Sequence, residues 1–331
     1  MIFDRETDYF IHIITSAVKG NAPEKPHQSI DWEKLIRLSK EQEVFSVMAA
    51  SLPSEYLPED EAKTLSNYSK SELVRRIAMN NEQSLLEEEL AKCGIDFMPL
   101  KGSLLKTLYP KESMRQMSDV DILYDKSKRE TLLQMMKENG YTLYSWSENS
   151  DDFSKKPYYT FEFHRELFFD EFGFCPDFGF VWENAKADEE NPHKKHMKTE
   201  DMYLHCIAHM YKHSVLGGFG IRFLCDLYLI LTHFPDLDFS YIAVKTAEMG
   251  LTDFEKTVRE TTLALFEEKE LTEEQQTLVL HIMQFGLFGE TGAGTRVKFE
   301  QFQKQYHTDS LFRYTLLRLF PEKEYMRRTY P

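Results

Sequence analysis

Apolar residues recur at helical spacing through most of the chain and at strand spacing only in a central stretch. Phe10, Ile13, Ile14 and Val18 mark one face of a helix over 4–18. Residues 20–27 hold two prolines and read as a loop. Trp32, Leu35, Ile36 and Leu38 form the apolar face of a second helix, with Asp31 placed as its N-cap. Residues 44–52 continue helically up to Pro53, and a long helical pattern over 61–92 closes at Gly94, a good C-terminal stop.

The period shortens at Ile95. Residues 95–100 read as a short strand, with Pro99 marking an edge or an end. A helix over 103–109 is broken by Pro110, and 111–117 is a polar loop. Residues 118–124 form the second strand, and Asp125 caps a helix over 126–139 that stops at Gly140. A strand over 141–146 is followed by what reads as an acidic loop over 147–156. Residues 157–164 then alternate cleanly: Thr160, Glu162 and His164 on one face, Tyr159, Phe161 and Phe163 on the other. Residues 167–169 read as a continuing or hairpin strand. The polar stretch 170–198, with Pro176, Pro192 and His193-Lys194-Lys195-His196, reads as a long loop. From Glu200 the pattern is helical to about 285, with breaks at 216–218, around Pro235 and at Gly250. A tail from Gly286 follows, ending in an amphipathic stretch over 309–320.

Two features of the central stretch carry chemistry. Gly102-Ser103 lies between an apolar run and a helical pattern, where glycine admits a close approach to phosphate and N–H groups at a helix start favour an anion. Asp119-Val120-Asp121 lies on a strand, so Val120 and Ile122 can face a core while both aspartates share the other face, roughly 7 Å apart at Cα. That spacing suits a shared hard cation, or two ions ~3.5–4 Å apart clamping a phosphoryl transfer.

A hydrophobic-Gly-Ser pattern, then a helix, then Asp-x-Asp on a strand resembles the nucleotidyltransferase superfamily with the polymerase-β-like fold. The fuller string Leu100-Lys101-Gly102, Arg115 and Ser118-Asp119-Val120-Asp121-Ile122-Leu123 resembles its uncharacterised bacterial branch. The likeness covers about 95–167 and, more loosely, the helical region after Glu200. It implies an α+β protein: a small mixed-sheet nucleotidyltransferase core over 95–198, flanked by N-terminal (1–94) and C-terminal (199–331) helical regions. It also implies Mg²⁺ (or Mn²⁺) on Asp119 and Asp121. Glu162, on a neighbouring strand and followed by His164, completes the metal site or acts as base, with Glu166 as runner-up. Lys101 stands where the wider superfamily more commonly has glycine. Lys101, Gly102, Ser103 and Arg115 are placed to meet the phosphates. His209, Lys212 and His213, with Arg222 and Asp226 on the next helix, form a polar cluster toward the nucleotide, with Lys212, His213 and Arg222 as substrate contacts. The bland reading of that cluster is an Arg222–Asp226 i,i+4 pair with core histidines.

Composition narrows the partners. The 331 residues are 42% hydrophobic and 29% charged, as in ordinary globular proteins. A net charge of −15 without a long basic block disfavours a broad nucleic-acid footprint, so a small molecule or a protein is favoured over nucleic acid as the acceptor. Four cysteines without a C-x-x-C pair, an acidic N-terminus and no apolar run of 18 residues point to a cytoplasmic chain without a membrane segment. His205, His209 and His213 share a helix face, but without H-E-x-x-H they make a poor zinc site. There is no P-loop and no G-x-S-x-G, and Gly217-Gly218-Phe219-Gly220 lacks the strand a dinucleotide loop needs. The expected reaction is Mg²⁺-dependent transfer of a nucleoside monophosphate from an NTP, ATP among them, to an acceptor hydroxyl, releasing pyrophosphate. The alternative is a catalytically silent nucleotide-binding or protein-interaction module on the same fold. The N-terminal helices read as structural cover for the core or, alternatively, as a substrate- or partner-docking surface.

Overall fold

The computed structural model describes residues 3–157, 159–169, 174–216 and 218–285; the tail from Gly286, with its amphipathic stretch, lies outside them. The chain opens with α1 (Arg5–Val18), α2 (Trp32–Glu41), α3 (Phe45–Ser51) and the 34-residue α4 (Glu59–Lys92). Asp4 and Asp31 cap the first two helices through their side chains, accepting from the N–H groups of Thr7 and Lys34. After α4 the chain turns at Gly94, with φ +63°, a conformation that disfavours any side chain.

Then come β1 (Phe97–Pro99), the short α5 (Lys101–Leu105), β2 (Val120–Tyr124), α6 (Arg129–Glu138), β3 (Thr142–Trp146), β4 (Ser150–Lys155) and β5 (Tyr159–His164). They build a five-stranded sheet in the order β1-β2-β5-β4-β3. β2 and β5 run parallel and the other neighbours antiparallel, so the sheet is mixed and the protein α+β. β1 lies at the edge, where Pro99 is tolerated.

The acidic stretch after β3 is a strand, not the loop its composition suggests. Asp151 is fully buried on β4, where Arg129 Nη2 donates to it at 2.7 Å and Arg165 pairs with it as well. Two guanidiniums from distant positions neutralise a charge that would otherwise exclude this stretch from a sheet. The expected strand at 167–169 is absent: these residues are irregular, with Phe168 buried against Phe178. Within 170–198, read as a loop, the described residues form α7 (Phe180–Asn184) and a small hairpin of β6 (Lys186–Ala187) and β7 (Lys195–His196). The expected helix over 103–109 begins earlier, at Lys101, and ends as a 3₁₀ turn over Lys106–Leu108. Five helices close the described chain: α8 (Thr199–Leu216), α9 (Ile221–His233), α10 (Phe239–Glu248), α11 (Thr252–Phe266) and α12 (Glu273–Phe285). No helix among the described residues is long and apolar enough to cross a membrane.

Strand alternation divides the sheet's surroundings. Val120, Ile122, Tyr124, Phe161, Phe163 and Phe153 pack with Met79, Leu86 and Leu90 of α4 and Leu132, Met135 and Met136 of α6. Each such Phe contributes about 1.5–3 kcal/mol by burial. Met98, Leu100 and Leu123 instead join a larger core that runs continuously from α1 and α3 to the C-terminal helices. Asp121, Glu162 and His164 belong to the positions that alternate with the first set, so the carboxylates are turned away from the α4/α6 core.

Candidate active site

Parallel pairing of β2 with β5 sets Asp121 directly beside Glu162. Two positions on, His164 Nε2 reaches Asp121 Oδ1 at 3.0 Å and Glu162 Oε1 at 3.5 Å. Among the described residues, Asp121, Glu162 and His164 form a group of metal-ligand types whose ligand atoms all lie within 4.8 Å of one another. Asp119 precedes β2 by one residue and joins the same wall without belonging to that closest group.

These carboxylates border a cavity of about 420 Å³. Asp119, Asp121 and Glu162 line it, with Lys101, Gly102 and Arg115 on the side of α5 and its following loop. His209, His213 and Arg222 come from α8 and α9, while Glu43 and Arg75 reach it from the N-terminal helices. Lys101 Nζ lies 3.7 Å from Asp121 Oδ1. Its backbone has φ +29°, in the region that favours glycine.

Opposing charges set the state of the aspartates. Burial opposes ionisation of Asp121, but the Lys101 ammonium and the hydrogen bond from His164 outweigh it and hold the carboxyl well below its ordinary range. Burial, and then the charge of Asp121, push Asp119 upward. One carboxylate is firmly ionised and its neighbour is reluctant, an arrangement that a bound cation would relieve.

The other expected residues divide. Lys101, Gly102, Arg115, His213 and Arg222 gather around the cavity with the three acids; Ser103 and Lys212 do not line it. Ser103 is buried and its hydroxyl is 3.4 Å from Gln83 Oε1 of α4. Lys212 lies over the Phe169 ring, 5.3 Å from its centroid. Glu166 is exposed and paired with Lys126 at 2.6 Å. Gly102 has a packing reason of its own: a Cβ there would stand 2.7 Å from both Arg115 Nη1 and Met117 Cε.

An Arg222–Asp226 pair does not form. Asp226 takes two hydrogen bonds from Arg115, both at 2.8 Å, and one from Tyr109 at 2.8 Å. Arg222 reaches Glu43 at 2.7 Å instead. Helical spacing makes the two residues neighbours on α9, but the partners that win come from chain segments more than a hundred residues away. Arg115 is 4% exposed, so its Nε and Nη2 are committed beneath the cavity while Nη1 lies against Gly102.

Along α8, His209 and His213 face each other with their Nε2 atoms 3.2 Å apart, and both rings pack on Phe223. Burial, followed by the Lys101 charge, pushes His213 down to about 3 and drives His205 and His209 well below the ordinary imidazole value. The sign follows from proton uptake. Below about 6.5 the unfolded chain takes protons on these rings and the folded chain does not, so stability falls as pH drops from 6.5 toward 3. His213→Gln is expected to reduce that slope by one proton, about 1.4 kcal/mol per pH unit, in denaturant melts taken across the window.

Glu43, Arg75 and His164 lie outside what motif reasoning assigns to the site. His164 carries a usable signal, because it shares the strand face of Glu162. Glu43 and Arg75 carry none, since only the packing of the N-terminal helices brings them to the cavity. A family model described as an uncharacterised nucleotidyltransferase matches residues 28–267, most of the chain. A search of the curated proteins finds no match.

Proposed function

We propose, for a chain that belongs to the uncharacterised nucleotidyltransferase family, that this cavity binds an NTP and that the protein moves its nucleoside monophosphate to an acceptor hydroxyl, releasing pyrophosphate. The observation that carries the reading is the register of Asp121 with Glu162 at the wall of a cavity that also holds Asp119 and several basic side chains. Carboxylate oxygens are the donors that suit Mg²⁺ or Mn²⁺. Asp119, Asp121 and Glu162 would hold the ion, with His164 fixing the orientation of Asp121 by its 3.0 Å hydrogen bond. When bound, such an ion supplies charge neutralisation at the phosphate oxygens.

The chain's own groups account for the rest. Lys101 balances Asp121 and meets the phosphate chain once a cation takes that carboxylate. Gly102 lines the cavity and, without a Cβ, lets Arg115 and Met117 pack close beside it. Arg115, locked on Asp226, acts through position and fixed charge rather than by swinging to a phosphate. His213 and Arg222 line the same cavity from α8 and α9 and would contact the nucleotide from there. Ser103 and Lys212 have the weakest support as ligands, because neither lines the cavity.

One observation favours a second reading. The Lys101 ammonium sits beside Asp121 as a cation would, and a protein whose lysine never yields that place would be a catalytically silent nucleotide-binding module. The deciding experiment is pyrophosphate release from ATP, CTP, GTP and UTP with Mg²⁺ or Mn²⁺ over a panel of hydroxyl acceptors. Release that stops on chelation supports the enzyme. Metal-dependent binding without release across the panel supports the silent module.

A further inference from the structure

Basic side chains around the cavity are matched by acids to different degrees. Arg115 is held by both oxygens of Asp226. Arg222 meets Glu43 at 2.7 Å, and Lys101 stands 3.7 Å from Asp121. Arg75, from α4, is matched least well. Its helix neighbour Glu72 comes no closer than 3.8 Å, because that buried carboxylate is bonded to Arg76 at 2.9 Å. Arg75 Nη2 instead donates to the carbonyl of Ser118 at 3.2 Å, immediately before Asp119.

This arrangement positions a guanidinium without using it up. An arginine has five N–H donors in a rigid fork that matches two phosphate oxygens, and the bond to Ser118 employs one of them. The side chain retains 32% of its exposure while lining the cavity. Its anchor ties α4 to the loop that delivers Asp119, so the charge stands at the carboxylate end of the cavity. A polyanion held there would have its oxygens within the range of this fork.

We propose, resting on the reading of the cavity as an NTP site, that Arg75 is a polyphosphate-binding residue of that site. It grips the β- and γ-phosphates of the nucleotide and makes the site select triphosphates over monophosphates. The long helix of the N-terminal region is then part of the substrate site as well as cover for the sheet.

The test is calorimetric titration of the full chain with ATP and with AMP, each with Mg²⁺, for wild type, Arg75→Gln and Arg75→Lys. Removing a charge-assisted, bidentate grip on phosphate predicts ATP binding weaker by roughly 10- to 100-fold in Arg75→Gln. AMP binding should change less than about threefold, and Arg75→Lys should recover part of the affinity as a point charge without the fork. A second measurement needs no variant. ATP with Mg²⁺ should protect Arg75 of the wild type from phenylglyoxal, read by peptide mass spectrometry, and AMP should not. Unchanged ATP affinity in Arg75→Gln, or equal modification of Arg75 with and without ATP, would overturn the role of Arg75 and leave the nucleotide site standing. A wild type that binds no NTP would overturn both.

Discussion

Asp121→Asn is expected to lower metal-dependent NTP turnover roughly a thousandfold, equivalent to about 4 kcal/mol of transition-state stabilisation. The substitution keeps the shape of the side chain and removes only its charge. That charge is the one the site supports most: Lys101 at 3.7 Å and His164 at 3.0 Å both favour its ionised form against burial. With an amide in its place, Glu162 and the reluctant Asp119 would have to hold the cation, while Lys101 faced a neutral partner. The rate of pyrophosphate release, read beside a thermal melt that reports the fold, checks this. Turnover within tenfold of wild type in a folded Asp121→Asn protein would mean that the chemistry lies elsewhere.

The second large effect is on stability. Asp226→Ala is expected to destabilise the protein by about 3–5 kcal/mol, because it leaves Arg115 charged and buried with no partner. Asp226 is 5% exposed and accepts from Arg115 twice and from Tyr109 once. Burial works against the Arg115 charge and Asp226 outweighs it, so removing the acid exposes the whole desolvation penalty. Much of the stability should return in the double variant Arg115→Met/Asp226→Leu, which removes both charges and keeps the volume filled. Urea denaturation of the three proteins measures both steps. A destabilisation below about 1 kcal/mol in Asp226→Ala would show that water or another group takes over the role of the acid. The same pair joins the loop after α5 to α9, so the cavity should be disturbed along with the fold.

Local patterns reveal the parts of this protein that local rules control. The two-residue period of Tyr159–His164 places Phe161 and Phe163 in a core and Glu162 and His164 on the opposite face, and β5 has that form. The cap at Asp31 and the stop at Gly94 are legible for the same reason. β4 is not, because its acids signal a solvated loop until Arg129 and Arg165 arrive from elsewhere in the chain. The partner of Asp226 is hidden because helical spacing records only neighbours on the same helix. Ser103 and Gly102 show a related limit. A Gly-Ser turn looks the same in sequence whether its hydroxyl faces the cavity or, as here, packs toward Gln83 while the glycine alone lines the cavity. Arg75 has no local signature at all, since only the lie of α4 along the loop before β2 brings it to the site.

The central claim is that the acids on and beside β2 and β5 make a metal-dependent nucleotide site. Calorimetric titration of the wild type with ATP, CTP, GTP and UTP, with and without Mg²⁺, beside the Asp119→Asn/Asp121→Asn double variant tests it most directly. At least one NTP is expected to bind only with the metal, and that binding is expected to vanish in the folded double variant. Metal-independent binding that is equally tight in both proteins would contradict the claim.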